Sequence, residues 1–567
     1  LTVRVNTTGF DGAADRVSTA LLRVKYPQDV SMVSSENKIF RFEGLGTSER
    51  AYLRISETSN ADTDIYEITD PLAPVRLVTT HFSDRVEAII PASTTERDVL
   101  AVNINLSAAD IEPVTFVEPN VTSLDYLIIS HPSLRMAASD GLDPVQAFAD
   151  YRASVAGGQH TSAIFDIFDI YDQFNFGDIS SIAIRRLIQY ADANGNPEAV
   201  FLIGKGRTPD ENFYRTQDYS VVNIPTYGSP GSDLKFVQGV GSDPIKPGLP
   251  IGRLNAFESE DVKAYLDKVK EMEALPYDDL FRKNVLQLSG GQTSVELSIF
   301  KLYINNFRDD LEGDFLGGKA INVGKETSQE VEVVDVVQEI NDGVGLVTFF
   351  GHSSGSATDI EIGRVTDGEF GYNNPGKYPV FLVNGCNAGD IFGTNFTFGE
   401  DWMRAPGLGA IGFIAHADFA SSTGLKRWSD LFYQVSFKEE NFFGSTLGEI
   451  MIECSDRYFD LYGTSDLAKT QVLQMLLQGD PMVRLFAAAQ PDYEILDVDL
   501  TAESYSGGPL LAALDSFKIN LPVKNFGRTI TDSLLVQVRR TLPQGEIIDS
   551  YAKFLRPLRL DTLEFKL

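Results

Sequence analysis

From Val121 to about Phe486 the chain alternates between short apolar runs and longer stretches of helical periodicity. "DYLIIS" (Asp125–Ser130) precedes "SSIAIRRLIQYADANGNPEAVFLIGKG", which reads as helix, Asn-Gly turn and strand. "SEDVKAYLDKVKEMEAL" places Val262, Tyr265, Leu266, Val269 and Met272 on one helical face. Ser259 is the expected N-cap there, with Glu260 and Asp261 near the positive end of the helix dipole. "NVLQLSG", "GLVTFF", "PVFLVNG" and "GAIGFIAH" predict strands; "SVELSIFKLYINNFRDDL" and "SQEVEVVDVVQEIND" predict helices. Strands that alternate with helices are joined by crossovers, so the sheet they build is mostly parallel. The length of the stretch predicts two α/β subdomains side by side, 121–290 and 291–487.

The flanks have a different rhythm. Residues 1–120 carry short, roughly alternating segments ("KIFRFEGL", "AYLRISE", "PVRLVTTHF") divided by Gly, Asn, Asp and Pro, and predict a β-rich domain. Residues 488–567 ("YEILDVDL", "SFKINLPVKNF", "DSLLVQVRR", "EIIDSYAKF") predict a small β-sandwich of immunoglobulin type. The chain opens at Leu1 with neither a Met nor a signal-peptide pattern, as a processed chain would, and ends in a strand-like segment.

Two of the apolar runs carry scarce residues at matching places. "GLVTFFGHSSGS" (Gly345–Ser356) ends in Gly then His352, and "YPVFLVNGCNAGD" (Tyr378–Asp390) ends in Gly385 then Cys386, in a chain with 5 His and 2 Cys. In open parallel sheets chemistry gathers at the carboxyl ends of strands. If the two runs are neighbours, His352 and Cys386 share one rim. A thiolate is a nucleophile, and a nearby imidazole lowers its pKa or carries its proton. The glycines of "NGCNAG" let the backbone approach a substrate and turn N–H groups toward its carbonyl, as an oxyanion hole requires. The competing reading is a buried strand-end thiol beside a polar His-Ser-Ser turn. A zinc site is the other chemical alternative, but His81, His131, His160 and His416 show no paired short spacing and there is no C-x-x-C. His416 closes another strand and is expected to line the same cleft, shaping the pocket rather than acting as base. Cys454, in the helical "LGEIMIECSDRYFDLY", reads as a buried apolar residue.

Composition excludes some partners. With 48 Lys and Arg against 80 Asp and Glu the net charge is −32, the wrong sign for nucleic acid. It suits solubility and oxygen-loving calcium. No apolar run is long enough to span a membrane as a helix.

At these residues the chain resembles the gingipain-type cysteine peptidases (family C25), clan-mates of the caspases. The likeness runs in order from "SLDYLIISHPSL" through "LPIGRLNAFESEDVKAYLDKV", "VTFFGHSSG" and "FLVNGCNAGD" to "LLQGDPMVRL". The β-rich front and the acidity resemble the PorU-type members, cell-surface sortases of type IX secretion. The resemblance implies an α/β caspase/gingipain-like catalytic domain and a protein substrate, with Cys386 as nucleophile and His352 as general acid/base. It implies Asp233 as the acid that orients the imidazole and Asp243 as a contributor to the specificity pocket; a turn cap or a calcium ligand is the competing reading of both. Ser353 and Gly385 would border the oxyanion hole. Gingipains carry Gly where this chain has Ser353, a residue that would be strained if the position needs positive φ. "SGSATDIEIG" lacks the Trp common there, so Arg or Lys specificity does not follow. The PorU likeness further implies removal of a cargo protein's C-terminal signal, transfer to a lipopolysaccharide amine, PorV-type outer-membrane partners and a secreted or surface location. No cofactor is needed for the chemistry; structural calcium is compatible with it. The rivals are a docking or adhesion module that keeps the fold without the activity, and a secreted gingipain-like endopeptidase.

Overall fold

The computed structural model describes residues 29–566, apart from 34–36, 45, 47–49, 59–62, 104–113, 118, 209–222, 487, 489, 512–513, 515, 542–543 and 546. Of the expected 1–120 domain, residues 1–28 therefore lie outside the described residues. The chain separates into two compact units, Leu1–Val114 and Thr115–Leu567.

The first unit is built from β1 (Asn37–Phe42), β2 (Ala51–Ser56), β3 (Asp64–Glu67), β4 (Val75–Arg76), β5 (Thr79–His81), β6 (Arg85–Ile90) and β7 (Arg97–Val102). They form two antiparallel sheets, β1-β7-β3-β4 and β2-β6-β5. Alternation along the strands sends Phe40, Leu53, Ile55, Ile65, Val86 and Val99 into one shared core.

The second unit holds the α/β domain. Its strands are β8 (Tyr126–Ser130), β9 (Ser162–Asp166), β10 (Ala199–Ile203), β11 (Ile251–Leu254), β12 (Asn284–Ser289), β13 (Lys319–Gly324), β14 (Glu332–Val333), β15 (Leu346–Phe350), β16 (Ile360–Glu361), β17 (Val380–Asn384), β18 (Gly412–His416) and β19 (Met475–Gln478). Ten of them make one continuous sheet in the order β13-β12-β15-β17-β18-β19-β11-β10-β8-β9. The expected subdomains are thus halves of a single sheet. β8–β11 form one half, and β12, β13, β15, β17 and β18 the other. β19 joins them, running antiparallel to β18 and bridged to β11 where Arg253 faces Gln478. β8, β10, β15, β17 and β18 are buried at every residue, because helices cover both faces of the sheet.

Helices Ser181–Asn194, Ser259–Ala274 and Ser294–Leu311 form where the spacing predicts, and the predicted face of the second is buried. Three details differ. The N-cap of Ser259–Ala274 is Glu258, whose N–H donates to Asp261 Oδ2 at 3.2 Å. "SQEVEVVDVVQEIND" is not one helix: its alternating Glu and Val enter β14, and only Val337–Asp342 is helical. β19 is so short that its apolar residues read as the tail of the preceding helix, Asp466–Leu473.

The C-terminal part of this unit contains β20 (Tyr493–Glu494), β21 (Thr501–Ser504), β22 (Phe517–Asn525), β23 (Leu534–Thr541), β24 (Ile547–Leu555) and β25 (Leu560–Lys566). β20, β21 and β25 pair with β22, β23 pairs with β24, and Leu521, Val523, Val536, Leu563 and Phe565 make a small core between the two sheets. Lys283, just before β12, donates to the carbonyls of Asn525, Gly527 and Leu558 at 3.0–3.1 Å and ties this part to the large sheet.

Candidate active site

β15 and β17 are parallel neighbours, with Phe350 opposite Asn384. His352 and Cys386 each follow their register partner by two residues, so matched register brings both to the same rim. Asn384 locks the pair of strands: its Nδ2 donates to Phe349 O at 3.1 Å, and its Oδ1 accepts from Ser429 on helix Ser422–Lys438. Gly351 N–H donates to Asn384 O at 3.1 Å.

A third residue completes the arrangement. His352 Nε2 lies 3.2 Å from Glu296 Oε1, within ion-pair distance although off the line of a straight hydrogen bond. The ring as a whole is 43% exposed while Nε2 is turned inward. Glu296 belongs to the first turn of helix Ser294–Leu311, where its own N–H donates to the Thr293 cap. Phe300, one turn further along the same face, packs its ring edge against the imidazole at 6.0 Å. Burial works against the charge of Glu296, but Gln292 N–H, the His352 imidazole and Thr293 together hold its carboxyl below the usual range. The sequence reading missed this residue. A Glu in the first turn of a helix looks like a capping residue, and only the packing of that helix on β15 brings it to His352.

The turns at the rim are tightly set. Cys386 is half-buried, and its thiol donates to Ala420 O at 3.5 Å. Asn387, the next residue, has φ +58°, a left-handed conformation that Asn tolerates. Ser353 has no positive φ, so it replaces glycine without strain, and its Oγ donates to Cys386 O at 2.9 Å. Gly385 has no room for a side chain, because a Cβ there would meet Ser353 Oγ at 2.0 Å. The backbone N–H groups of Ser353 and Cys386 have no acceptor among the described residues, leaving both for a substrate oxyanion.

Residues 120–486 match the model of peptidase family C25. The chain belongs to peptidase family C25. Its solved relatives include the Arg-specific cysteine proteinase gingipain R (RgpB), at 17% identity over 79% of this chain and 92% of that one, with a TM-score of 0.52. The complex of Porphyromonas gingivalis RgpB pro- and mature domains matches at 16% identity over 77% and 92%, with a TM-score of 0.51. Dimeric latent PorU from Porphyromonas gingivalis matches at 12% identity over 93% of this chain and 48% of that one, at a TM-score of 0.41, too distant to bear on function. The two RgpB matches show a shared gingipain fold. A search of curated proteins returned no match.

In this C25 chain the other residues singled out from the sequence lie elsewhere. Asp233 is buried and gives both carboxylate oxygens to Arg253, at 2.7 Å and 2.8 Å. Among the described residues the acid at ion-pair distance from the imidazole is Glu296, not Asp233. Arg253 lies over the Phe392 ring at 5.5 Å, and Gly206 and Gly231 leave space for that ring. Lys205, after β10, donates to Ile391 O at 2.5 Å. Asp233 and Arg253 therefore brace the loop that follows Cys386 from the first half of the sheet. Asp243 caps its own turn through Ile245 N–H at 2.8 Å. His416 is wholly buried and touches no cleft. Its ring nitrogens lie 2.9 Å from Asp418 O and 3.3 Å from Thr470 O, and its own carbonyl accepts Gly389 N–H. It supports the nucleophile turn from beneath. Cys454 is buried and both cysteines are free, with burial pushing the Cys454 thiol well up.

Proposed function

We propose that the chain is a sortase-type cysteine endopeptidase of the cell surface that cleaves the C-terminal signal from secreted cargo. The observation that carries the peptidase chemistry is the register of β15 and β17, which sets His352 and Cys386 on one rim beside unbonded N–H groups. Cys386 Sγ attacks the scissile carbonyl, and its proton passes to His352. The oxyanion is held by the N–H groups of Cys386 and Ser353, and His352 then protonates the leaving amine. Glu296, with Oε1 3.2 Å from Nε2, holds the imidazole in place. The thioester is resolved by an amine, returning the Cys386 thiol and leaving a new amide on the cargo; water in place of the amine gives hydrolysis. The sequence likeness to PorU-type members supports the sortase reading, together with the lipopolysaccharide amine as acceptor and PorV-type partners.

Labelling with a peptidyl electrophile, followed by mass spectrometry, tests the chemistry. Fast modification at Cys386 that is lost in His352→Ala is expected. Equal, slow labelling in both proteins, with the fold intact, would favour a dormant docking module, the reading to which the thiol's bond with Ala420 O points. A cargo C-terminal peptide offered with a small primary amine then separates sortase from hydrolase: an amide product is expected, and free acid alone would sink the sortase reading.

A further inference from the structure

Away from the catalytic rim, three adjacent strands bring together a second set of chemistry-bearing side chains. Asp125 immediately precedes β8, Glu198 immediately precedes β10, and His160 lies just ahead of β9. In the sheet β8 sits between β10 and β9, with Tyr126 opposite both Ala199 and Ser162. Asp125 and Glu198 are therefore level across the strands, and the amino-end backbone is pinned. Glu198 N–H donates to Asp125 O at 2.6 Å, and Asp125 N–H donates to Thr161 O at 3.1 Å. A ligand atom from each of the three side chains lies within 4.8 Å of the others.

We propose that Asp125, His160 and Glu198 form a binding site for a divalent transition-metal ion of the zinc class on the amino rim of the first half of the sheet. His160 Nδ1 lies 3.6 Å from Asp125 Oδ1, too far for a hydrogen bond. It is close to the separation of roughly 3.4 Å between two donors that each lie ~2.1 Å from a tetrahedral ion. Asp125 Oδ1 is itself shielded from solvent and has no hydrogen-bond partner among the described residues. A buried carboxylate oxygen without a donor is costly, and a cation would satisfy it. The imidazole is held in place: its ring packs against Tyr126 at 5.8 Å, and Gly158 leaves the room that Nε2 occupies. One nitrogen and two carboxylates make a mixed donor set. Calcium, which takes six to eight oxygens, fits it poorly, whereas zinc takes such ligands with water in the remaining position. Glu198 is exposed, so the ion would enter from its side. The site would staple β9, at one edge of the ten-stranded sheet, to β8 and β10.

The test uses the full chain carrying Cys386→Ala, so that the catalytic thiol cannot take the metal. After chelator treatment it is titrated with Zn²⁺ and, separately, Ca²⁺ by calorimetry, and Co²⁺ is added for its visible spectrum. One Zn²⁺ per chain, little Ca²⁺ binding and a rise in melting temperature with Zn²⁺ are expected. Glu198→Gln, an exposed change that does not threaten folding, should weaken Zn²⁺ at least tenfold, and His160→Ala should abolish stoichiometric uptake. If His160→Ala does not fold, the Co²⁺ spectrum of the parent chain decides, since an imidazole–carboxylate tetrahedral site gives intense visible bands. Absence of stoichiometric Zn²⁺ uptake, Zn²⁺ affinity unchanged in Glu198→Gln, or preference for Ca²⁺ would each overturn the proposal.

Discussion

The two rims of the α/β sheet use one device for different ends. At the carboxyl rim, in-register β15 and β17 carry His352 and Cys386 forward together, and a helix supplies Glu296. At the amino rim, in-register β8 and β10 carry Asp125 and Glu198, and the turn before β9 supplies His160. The difference lies in freedom. The carboxyl rim keeps an exposed imidazole and open N–H groups, ready for a reactant. The amino rim gathers two carboxylates and an imidazole around one point open on the Glu198 side, ready for an ion. Parallel register assembles a site; the chemistry depends on whether donors or acceptors are left over.

The largest effect that would sharpen this contrast is on the nucleophile. Cys386→Ala should remove all thioester formation, read as the loss of both labelling and peptide cleavage. His352→Ala should lower turnover by about 10²–10⁴-fold, the usual contribution of a positioned acid/base, with substrate binding largely kept. Glu296→Gln should cost about tenfold to a hundredfold in turnover through misplacement of the imidazole, and should shift the pH–rate profile, which a purely structural residue would not do. Gly385→Ala should force Ser353 and the Cys386 turn apart, at about 1–3 kcal/mol of strain, and slow labelling more than it lowers the melting temperature.

The smallest effect concerns pH. Burial lowers the His416 pKa, against the opposing pull of the Asp418 and Thr470 carbonyls. Its folded value then lies below its unfolded one. As pH falls through the unfolded value of roughly 6.5, the unfolded chain gains a proton that the native state refuses, so stability falls. The loss stops growing below the folded value. A His416→Gln variant should show a flatter melting-temperature profile over that range; an unchanged slope would remove His416 as its source.

Most of the sheet was legible because buried parallel strands are continuous apolar runs, as in β8, β15, β17 and β18. β19 escaped notice because its few residues follow a helix without a break. Among the site residues, His352 and Cys386 stood out by rarity and matched position. Asp233 was misplaced because a carboxylate near the right motif says nothing about its partner, and Arg253 had claimed it.

The sequence alone determined the alternation of strand and helix, the mostly parallel sheet and the paired positions of His352 and Cys386. Periodicity and strand ends are local properties, written in consecutive residues. Only the tertiary structure decided that Glu296 serves the imidazole, that Asp233 braces a loop and that His416 lies beneath the turn rather than in the cleft. It alone brought Asp125, His160 and Glu198 to one point. Each of those outcomes depends on which strands lie side by side and on how a helix packs across them, and neither is encoded in the spacing of residues along the chain.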